Sequence, residues 1–119
     1  MAKTLVIGAS ENPERYAYKA IQKLLAHGHE VKALALRKGE VNGVTFETEQ
    51  VPYTDIDTVT MYVGPKNQPV YYDYIEALKP RRVIFNPGTE NDEFMARLKK
   101  QGIEPQEACT LVLLSTNQF

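Results

Sequence analysis

Short apolar runs alternate with longer segments of helical period along the whole chain. The runs "TLVIG", "EVKALAL", "TVTMYVG" and "RRVIF" have the length and the β-branched content of strands buried on both faces of a sheet. A further short strand is predicted at "GVTF", and "TLVLL" at residues 110–114 predicts the last strand. The pattern therefore predicts five or six strands.

Three helices are predicted between these strands. The first has an apolar stripe and follows Asn12 and Pro13, which we expect to cap the helix and to form its first turn. The second spans "NQPVYYDYIEALKP", and Asn91 is placed to cap the third, in "ENDEFMARLKKQG". This alternation predicts one domain, residues 1–119, with a Rossmann-like three-layer α/β/α sandwich and a mostly parallel sheet.

Composition and charge narrow the classes of partner. The 119 residues are 43% hydrophobic and 24% charged, and 14 basic against 15 acidic residues give a net charge of -1. No charge excess favours nucleic acid or a membrane surface, and no apolar run approaches the roughly 20 residues that cross a bilayer. One cysteine permits no internal disulfide. These features predict a cytoplasmic protein with no nucleic-acid or membrane partner.

In a parallel sheet of this kind, a ligand binds beyond the carboxyl ends of the strands. Small or polar residues follow four of the predicted strands, which favours a cleft at that edge. They are Gly8, Ala9 and Ser10; Arg37 and Lys38; Gly64 and Pro65; and Asn86, Pro87 and Gly88.

The turn after the first strand is the strongest candidate for a phosphate site. Gly8 permits a sharp turn, the next helix offers free amides, and Ser10 adds a hydroxyl. A plain strand-to-helix turn is the alternative interpretation. We expect Gly8→Val to abolish binding while leaving the fold largely intact. Tyr16, expected in the first turn of the helix, is a further candidate for ligand contact.

The residues after the second strand bear on which nucleotide binds. Folds that bind NAD place an acidic residue there for the ribose hydroxyls, whereas this chain has Arg37 and Lys38. Two cations favour a phosphorylated ribose, as in NADP or in the 3'-phosphorylated adenosine of coenzyme A (CoA). A solvated surface pair is the alternative.

Taken together, the segments "GAS", "ENP", "RKGE", "NGVTF" and "NPGTENDEF" resemble the small CoA-binding domain family in order and spacing. That family shares its fold with the first domain of the succinyl-CoA synthetase alpha subunit, and the resemblance runs from "TLVIGAS" to "CTLVLL". It implies that CoA or an acyl-CoA is the cofactor. The residues it implies are Gly8, Ala9 and Ser10 at the CoA phosphates, Lys38 with Arg37 near the adenosine phosphate, Val63, Gly64 and Pro65 along the nucleotide, and Asn86, Pro87 and Gly88 where the synthetase has "TEG".

No catalytic or metal-binding set is visible in the sequence. His27 and His29 flank a glycine at a helix end, and Cys109 is expected to be a buried, inert residue of the last strand. The resulting hypothesis is a non-catalytic domain that binds CoA or acyl-CoA, as a sensor or an enzyme partner. Two alternatives stay open: a minimal NADP-binding oxidoreductase, and an interaction protein that has lost its ligand. A homodimer is expected by analogy with similar folds.

Overall fold

The computed structural model describes residues 3–119, which form one seven-stranded sheet with helices on both faces. The strands are β1 (Lys3–Ile7), β2 (Glu30–Leu34), β3 (Glu40–Val41), β4 (Val44–Glu47), β5 (Thr58–Met61), β6 (Arg82–Phe85) and β7 (Glu104–Glu107). The α-helices are α1 (Tyr16–Ala26), α2 (Tyr72–Leu78), α3 (Asp92–Lys100) and α4 (Thr110–Ser115), and two single-turn 3-10 helices, Pro65–Asn67 and Pro69–Tyr71, precede α2.

The sheet confirms the predicted fold class but has seven strands rather than five or six, because the two-residue β3 and the polar β7 lack the apolar pattern of a buried strand. Its strand order is β3-β4-β2-β1-β5-β6-β7, and every neighbouring pair is parallel except β3 and β4. The chain runs outward from β1 to β2 and then returns to the other side of β1 at β5. None of the helices described between residues 3 and 119 is long and apolar enough to cross a membrane.

The predicted last strand is wrong, because "TLVLL" forms helix α4 and the edge strand is β7. A run of apolar residues this short fits either a strand or a buried helical turn. Burial of Thr110, Leu113 and Leu114, with Val112 56% exposed, has the spacing of a helix. Strand β7 has the polar sequence "EPQE", which lacks the apolar pattern of a buried strand. Only its backbone pairing with β6 shows that it is a strand. Cys109 is correspondingly a partly exposed residue just before α4 rather than part of a strand.

Alternate residues of the central strands face two separate cores. Leu5 and Ile7 of β1 pack in the layer with α2 and α3, whereas Val6 packs in the layer with α1 and α4. This alternation is the period of a β-strand, and burial on both faces explains why β1 is apolar throughout. The structure thus has the predicted three layers, and the ends of its strands position the candidate site.

The two predicted helix caps differ in outcome. The Asn91 side chain accepts a hydrogen bond from the Phe94 amide at 3.0 Å, which confirms it as the cap of α3. The prediction for Asn12 is wrong, because its side chain accepts from the Glu14 amide at 3.0 Å, and α1 begins only at Tyr16. Asn12 therefore forms a local turn, which lengthens the loop and leaves the start of α1 without a side-chain cap.

Candidate functional site

A cleft of about 870 Å³ opens at the carboxyl edge of the sheet. It lies where the chain order reverses across β1, with β2 on one side and β5 on the other, which is where open parallel sheets bind ligands. Four segments that follow strands line it, together with Phe46 of β4: the β1–α1 loop with the start of α1, the loop after β2, residues after β5, and the turn after β6. All four follow strands whose ends meet at this edge.

The structure brings nine of the twelve sequence-predicted residues together around this cleft. They are Gly8, Ala9, Ser10, Tyr16, Arg37, Lys38, Gly64, Pro87 and Gly88. The other three, Val63, Pro65 and Asn86, do not line it. Val63 packs against the core beside α2 and α3, and Pro65 begins a 3-10 helix.

Asn86 is a structural residue inside the fold. It is 2% exposed, and its side-chain amide donates to the Thr60 hydroxyl at 2.7 Å and to the Met61 carbonyl at 2.8 Å. Its side-chain oxygen accepts from the Thr110 amide at 2.9 Å. Asn86 thus ties β5 and β6 to the start of α4, and its polar atoms are used there rather than in the cleft.

The β1–α1 loop, as far as residues 3–119 show, contains backbone amides without an acceptor in residues that line the cleft. The amides of Gly8 and Ala9 donate to the Leu34 carbonyl, and the Asn12 amide donates to the Ser10 hydroxyl. Within residues 3–119, the amides of cleft-lining residues that have no hydrogen-bond acceptor include those of Ser10, Glu11, Tyr16 and Ala17. The last two belong to the first turn of α1, where the helix dipole adds positive potential. This arrangement suits a phosphate group.

Gly8 has a packing role that the sequence did not reveal. Its φ is +94°, and an added Cβ would lie 3.0 Å from the backbone carbonyl group of Tyr62 and from the Val63 side chain. The expectation that Gly8→Val leaves the fold intact is therefore wrong, because the new side chain meets the neighbouring strand end. Gly64 is different, since its φ is -64° and a Cβ there meets nothing within 4 Å.

Three cations surround the cleft. Arg37 and Lys38 are exposed, and within the described chain neither side chain makes a hydrogen bond or an ion pair. Arg15, at the N-cap of α1, is the third, and sequence reasoning missed it because the helix was expected to begin earlier. Glu11 and Glu14 also line the cleft. Cations from two different loops therefore line the same cleft.

The rim of the cleft carries exposed apolar surface. Leu36 is 91% exposed and Tyr16 is 67% exposed, and both line the cleft from different segments. The ammonium group of Lys19 lies 5.4 Å from the centre of the Tyr16 ring. Leu36 was missed because a lone exposed leucine beside two cations has no distinctive sequence signal. Apolar groups this exposed are suited to contact a ligand such as a nucleobase.

Tyr62 forms part of the inner wall. Its hydroxyl is buried near Thr60 and Thr110 but has no hydrogen-bond partner in the described chain. Burial raises the pKa of Tyr62 to about 12, so the phenol is neutral at physiological pH. Tyr62 therefore offers ring surface rather than charge to the cleft.

A buried amide network holds the wall formed after β5 and β6. Gln68 is fully buried, and its side-chain amide donates to the carbonyls of Val63 and Thr89 at 2.9 and 2.8 Å. Its oxygen accepts from the Asn91 side chain at 2.9 Å. These bonds fix Thr89 and the turn beside it against the segment after β5. In residues 3–119, no group of three or more histidine, cysteine or acidic side chains is arranged to hold a metal ion.

Comparison with known proteins identifies relatives of this chain. The model of a family described as "CoA binding domain" matches residues 2–115. A crystal structure of an uncharacterized protein is 50% identical, with a TM-score of 0.98, and the match covers 100% of this chain and 98% of that one. A conserved hypothetical protein from Pyrococcus furiosus is 26% identical, with a TM-score of 0.83, over 94% of this chain and 98% of that one. A search of curated proteins finds no match.

A larger enzyme contains the same fold. An acetyl-coenzyme A synthetase of Ca. Korarchaeum cryptofilum, solved in complex with phosphate and ADP, matches at 18% identity with a TM-score of 0.72. The match covers 87% of this chain and 25% of the synthetase chain. At that identity the likeness concerns the fold alone.

Proposed function

The chain belongs to the CoA binding domain family, and we propose that it binds CoA or an acyl-CoA in the cleft at the carboxyl edge of the sheet. The observation that carries the proposal is that one cleft combines loop amides and cations that have no partner among the described residues. A volume of about 870 Å³ is also within the range of small-molecule sites.

The diphosphate of CoA is proposed to bind at the β1–α1 loop. There the free amides of Ser10 and Glu11 adjoin the first turn of α1, and Arg15 adds a cation. These donors are set by backbone geometry, so their orientation does not have to be organised when the ligand arrives.

The adenosine end is proposed to bind at the loop after β2. Arg37 and Lys38 are placed to meet the 3'-phosphate, and Leu36 beside them offers apolar surface to the adenine. The pantetheine arm then extends along Gly64 and the turn formed by Pro87, Gly88 and Thr89, which lies on the opposite side of β1.

We propose that the domain binds this ligand without itself transforming it, as a sensor or as a partner of an enzyme. The three cations that line the cleft support a role in binding an anionic ligand. The cytoplasmic location and the homodimer stay predictions.

The alternative of an NADP-binding oxidoreductase rests on the same two cations, which also suit a 2'-phosphate. The interaction protein without a ligand is the other alternative. Isothermal titration calorimetry with CoA, acetyl-CoA, 3'-dephospho-CoA, NADPH and NADH separates all three. We expect binding of CoA or acetyl-CoA that weakens without the 3'-phosphate. Preference for NADPH would favour the oxidoreductase. Absence of binding to all five ligands would favour the interaction protein.

A steric variant tests whether the cleft is the site. Gly64→Val places a side chain in open space within the cleft, at a backbone conformation that any residue adopts. We expect it to weaken CoA binding at least about tenfold while the melting temperature stays near that of the wild type. The control is Ala96→Val, an exposed position of α3 outside the cleft. Full CoA affinity in Gly64→Val would place the ligand elsewhere.

A further inference from the structure

Glu11 joins two loops that meet at the cleft. Its carboxylate accepts a hydrogen bond from the Glu40 backbone amide at 2.8 Å, across 29 residues of sequence. Glu11 belongs to the β1–α1 loop, which carries the free amides, and Glu40 directly follows the loop that carries Arg37 and Lys38. One side chain thus connects the two groups of candidate phosphate ligands.

Gly39 gives a second, independent sign of this contact. An added Cβ on Gly39 would lie 2.7 Å from Cδ and 2.9 Å from Cγ of Glu11. The φ of Gly39 is not in the left-handed region, so its backbone conformation does not itself require glycine. The missing side chain is what leaves room for the Glu11 carboxylate to lie against the backbone.

The segment that contacts Glu11, residues 39 and 40, is held in the sheet. The Gly39 carbonyl accepts from the Phe46 amide at 2.8 Å, and β3 pairs with β4 across a turn at Asn42 and Gly43. Both turn residues have positive φ, 48° and 88°, as a tight hairpin requires. Strand β4 in turn pairs with β2. Glu11 is therefore attached to a segment anchored in the sheet.

We propose that Glu11 is a positioning residue that fixes the β1–α1 loop relative to Arg37 and Lys38, so that both sides of the phosphate site are in place before the ligand binds. Its hydrogen bond also holds a carboxylate, which would otherwise repel an anionic ligand, on the Glu40 amide. This role rests on the proposed binding of CoA.

Three variants separate the hydrogen bond from the charge. Glu11→Gln keeps an oxygen acceptor and removes the charge, Glu11→Ala removes both, and Gly39→Ala displaces the side chain while keeping its charge. We expect Glu11→Ala and Gly39→Ala each to weaken CoA binding about three- to tenfold, and Glu11→Gln to bind CoA as tightly as the wild type or more tightly. The double variant Glu11→Ala/Gly39→Ala should be no weaker than either single variant, because both remove one contact.

A second readout needs no ligand. Amide hydrogen exchange of Glu40, followed by nuclear magnetic resonance, should be about fivefold faster in Glu11→Ala and in Gly39→Ala than in the wild type. Unchanged exchange overturns the link between the loops, and wild-type CoA affinity in both variants overturns its positioning role. Equal weakening in Glu11→Gln and Glu11→Ala also overturns it, since an oxygen acceptor at this position would then make no difference to CoA binding. Failure of the wild type to bind CoA refutes the proposed function, while the exchange measurement still decides the link.

Discussion

The double substitution Arg37→Gln/Lys38→Gln tests the proposed orientation of CoA most directly. Both side chains are exposed, and within residues 3–119 neither makes an ion pair or a hydrogen bond, so their removal leaves no buried partner behind. Glutamine keeps much of the side-chain length and removes the charge. The change therefore acts on the ligand rather than on the fold.

The expected magnitude follows from the exposure of the two cations. Two unit charges at a contact distance of about 4 Å interact by about 1 kcal/mol in water, and a Debye length of about 8 Å at physiological salt lowers this to about 0.6 kcal/mol. A phosphate monoester carries a charge of about -1.5 to -2 at neutral pH. Each cation then contributes about 1 kcal/mol, and together they contribute about 2 kcal/mol, or about 30-fold in affinity.

The assay is calorimetry with CoA and 3'-dephospho-CoA on the wild type and the double variant. We expect about 30-fold weaker CoA binding in the variant and little change for 3'-dephospho-CoA. In salt of about 1 M the Debye length is about 3 Å, so the effect on CoA should fall to about fivefold. The matched control is Lys99→Gln/Lys100→Gln, an exposed pair of neighbouring cations at the end of α3.

Two results would refute this reasoning. Equal losses for CoA and 3'-dephospho-CoA would mean that the cations do not meet the 3'-phosphate. An equal loss of CoA affinity in the α3 control would mean that overall charge, rather than the position of Arg37 and Lys38, sets the affinity.

Two further predictions concern the framework of the site. Asn86→Ala should lower the free energy of unfolding by about 2–4 kcal/mol in urea denaturation, because it leaves the buried Thr110 amide without its acceptor. The control is Asn67→Ala, at an exposed position, and equal stability of the two variants would contradict the structural role of Asn86. Hydrogen bonds from Arg81 lower the pKa of Asp57, so the ionised carboxylate stabilises the fold above about pH 4 and this contribution is lost as the pH falls through the lowered pKa. Melting temperatures of the wild type and Arg81→Gln between about pH 2 and pH 6 should therefore converge toward low pH, and parallel curves would contradict the assignment.

The order of the elements made much of the cleft predictable. The carboxyl ends of parallel strands share one edge, so residues that follow different strands, such as Gly8, Arg37 and Gly64, were expected together without any knowledge of side-chain contacts. Their grouping depends only on chain order and strand direction. The same argument placed Asn86 at this edge. Asn86 does follow β6, but its side chain is hydrogen-bonded to β5 and α4 and does not line the cleft.

Other features depend on contacts that no local pattern encodes. "TLVLL" forms a helix because Leu113 and Leu114 are buried in the packed structure. The polar "EPQE" is a strand because its backbone pairs with that of β6. Asn12 resembles a helix cap in sequence, but its side chain bonds to the Glu14 amide and the helix begins later. Local sequence leaves such choices nearly balanced, and tertiary packing decides them.

By itself, the sequence determined the alternation of strands and helices, the parallel sheet and the edge at which the cleft lies, because hydrophobic period and chain order act locally. Only the tertiary structure decided which polar groups at that edge are free and which are already bonded. In residues 3–119 the amides of Ser10 and Glu11 have no acceptor, whereas the Asn86 side chain is hydrogen-bonded and the Glu11 carboxylate is held at Glu40. The bonds of Asn86 and of the Glu11 carboxylate join residues distant in sequence, and they exist only once the fold brings these segments together.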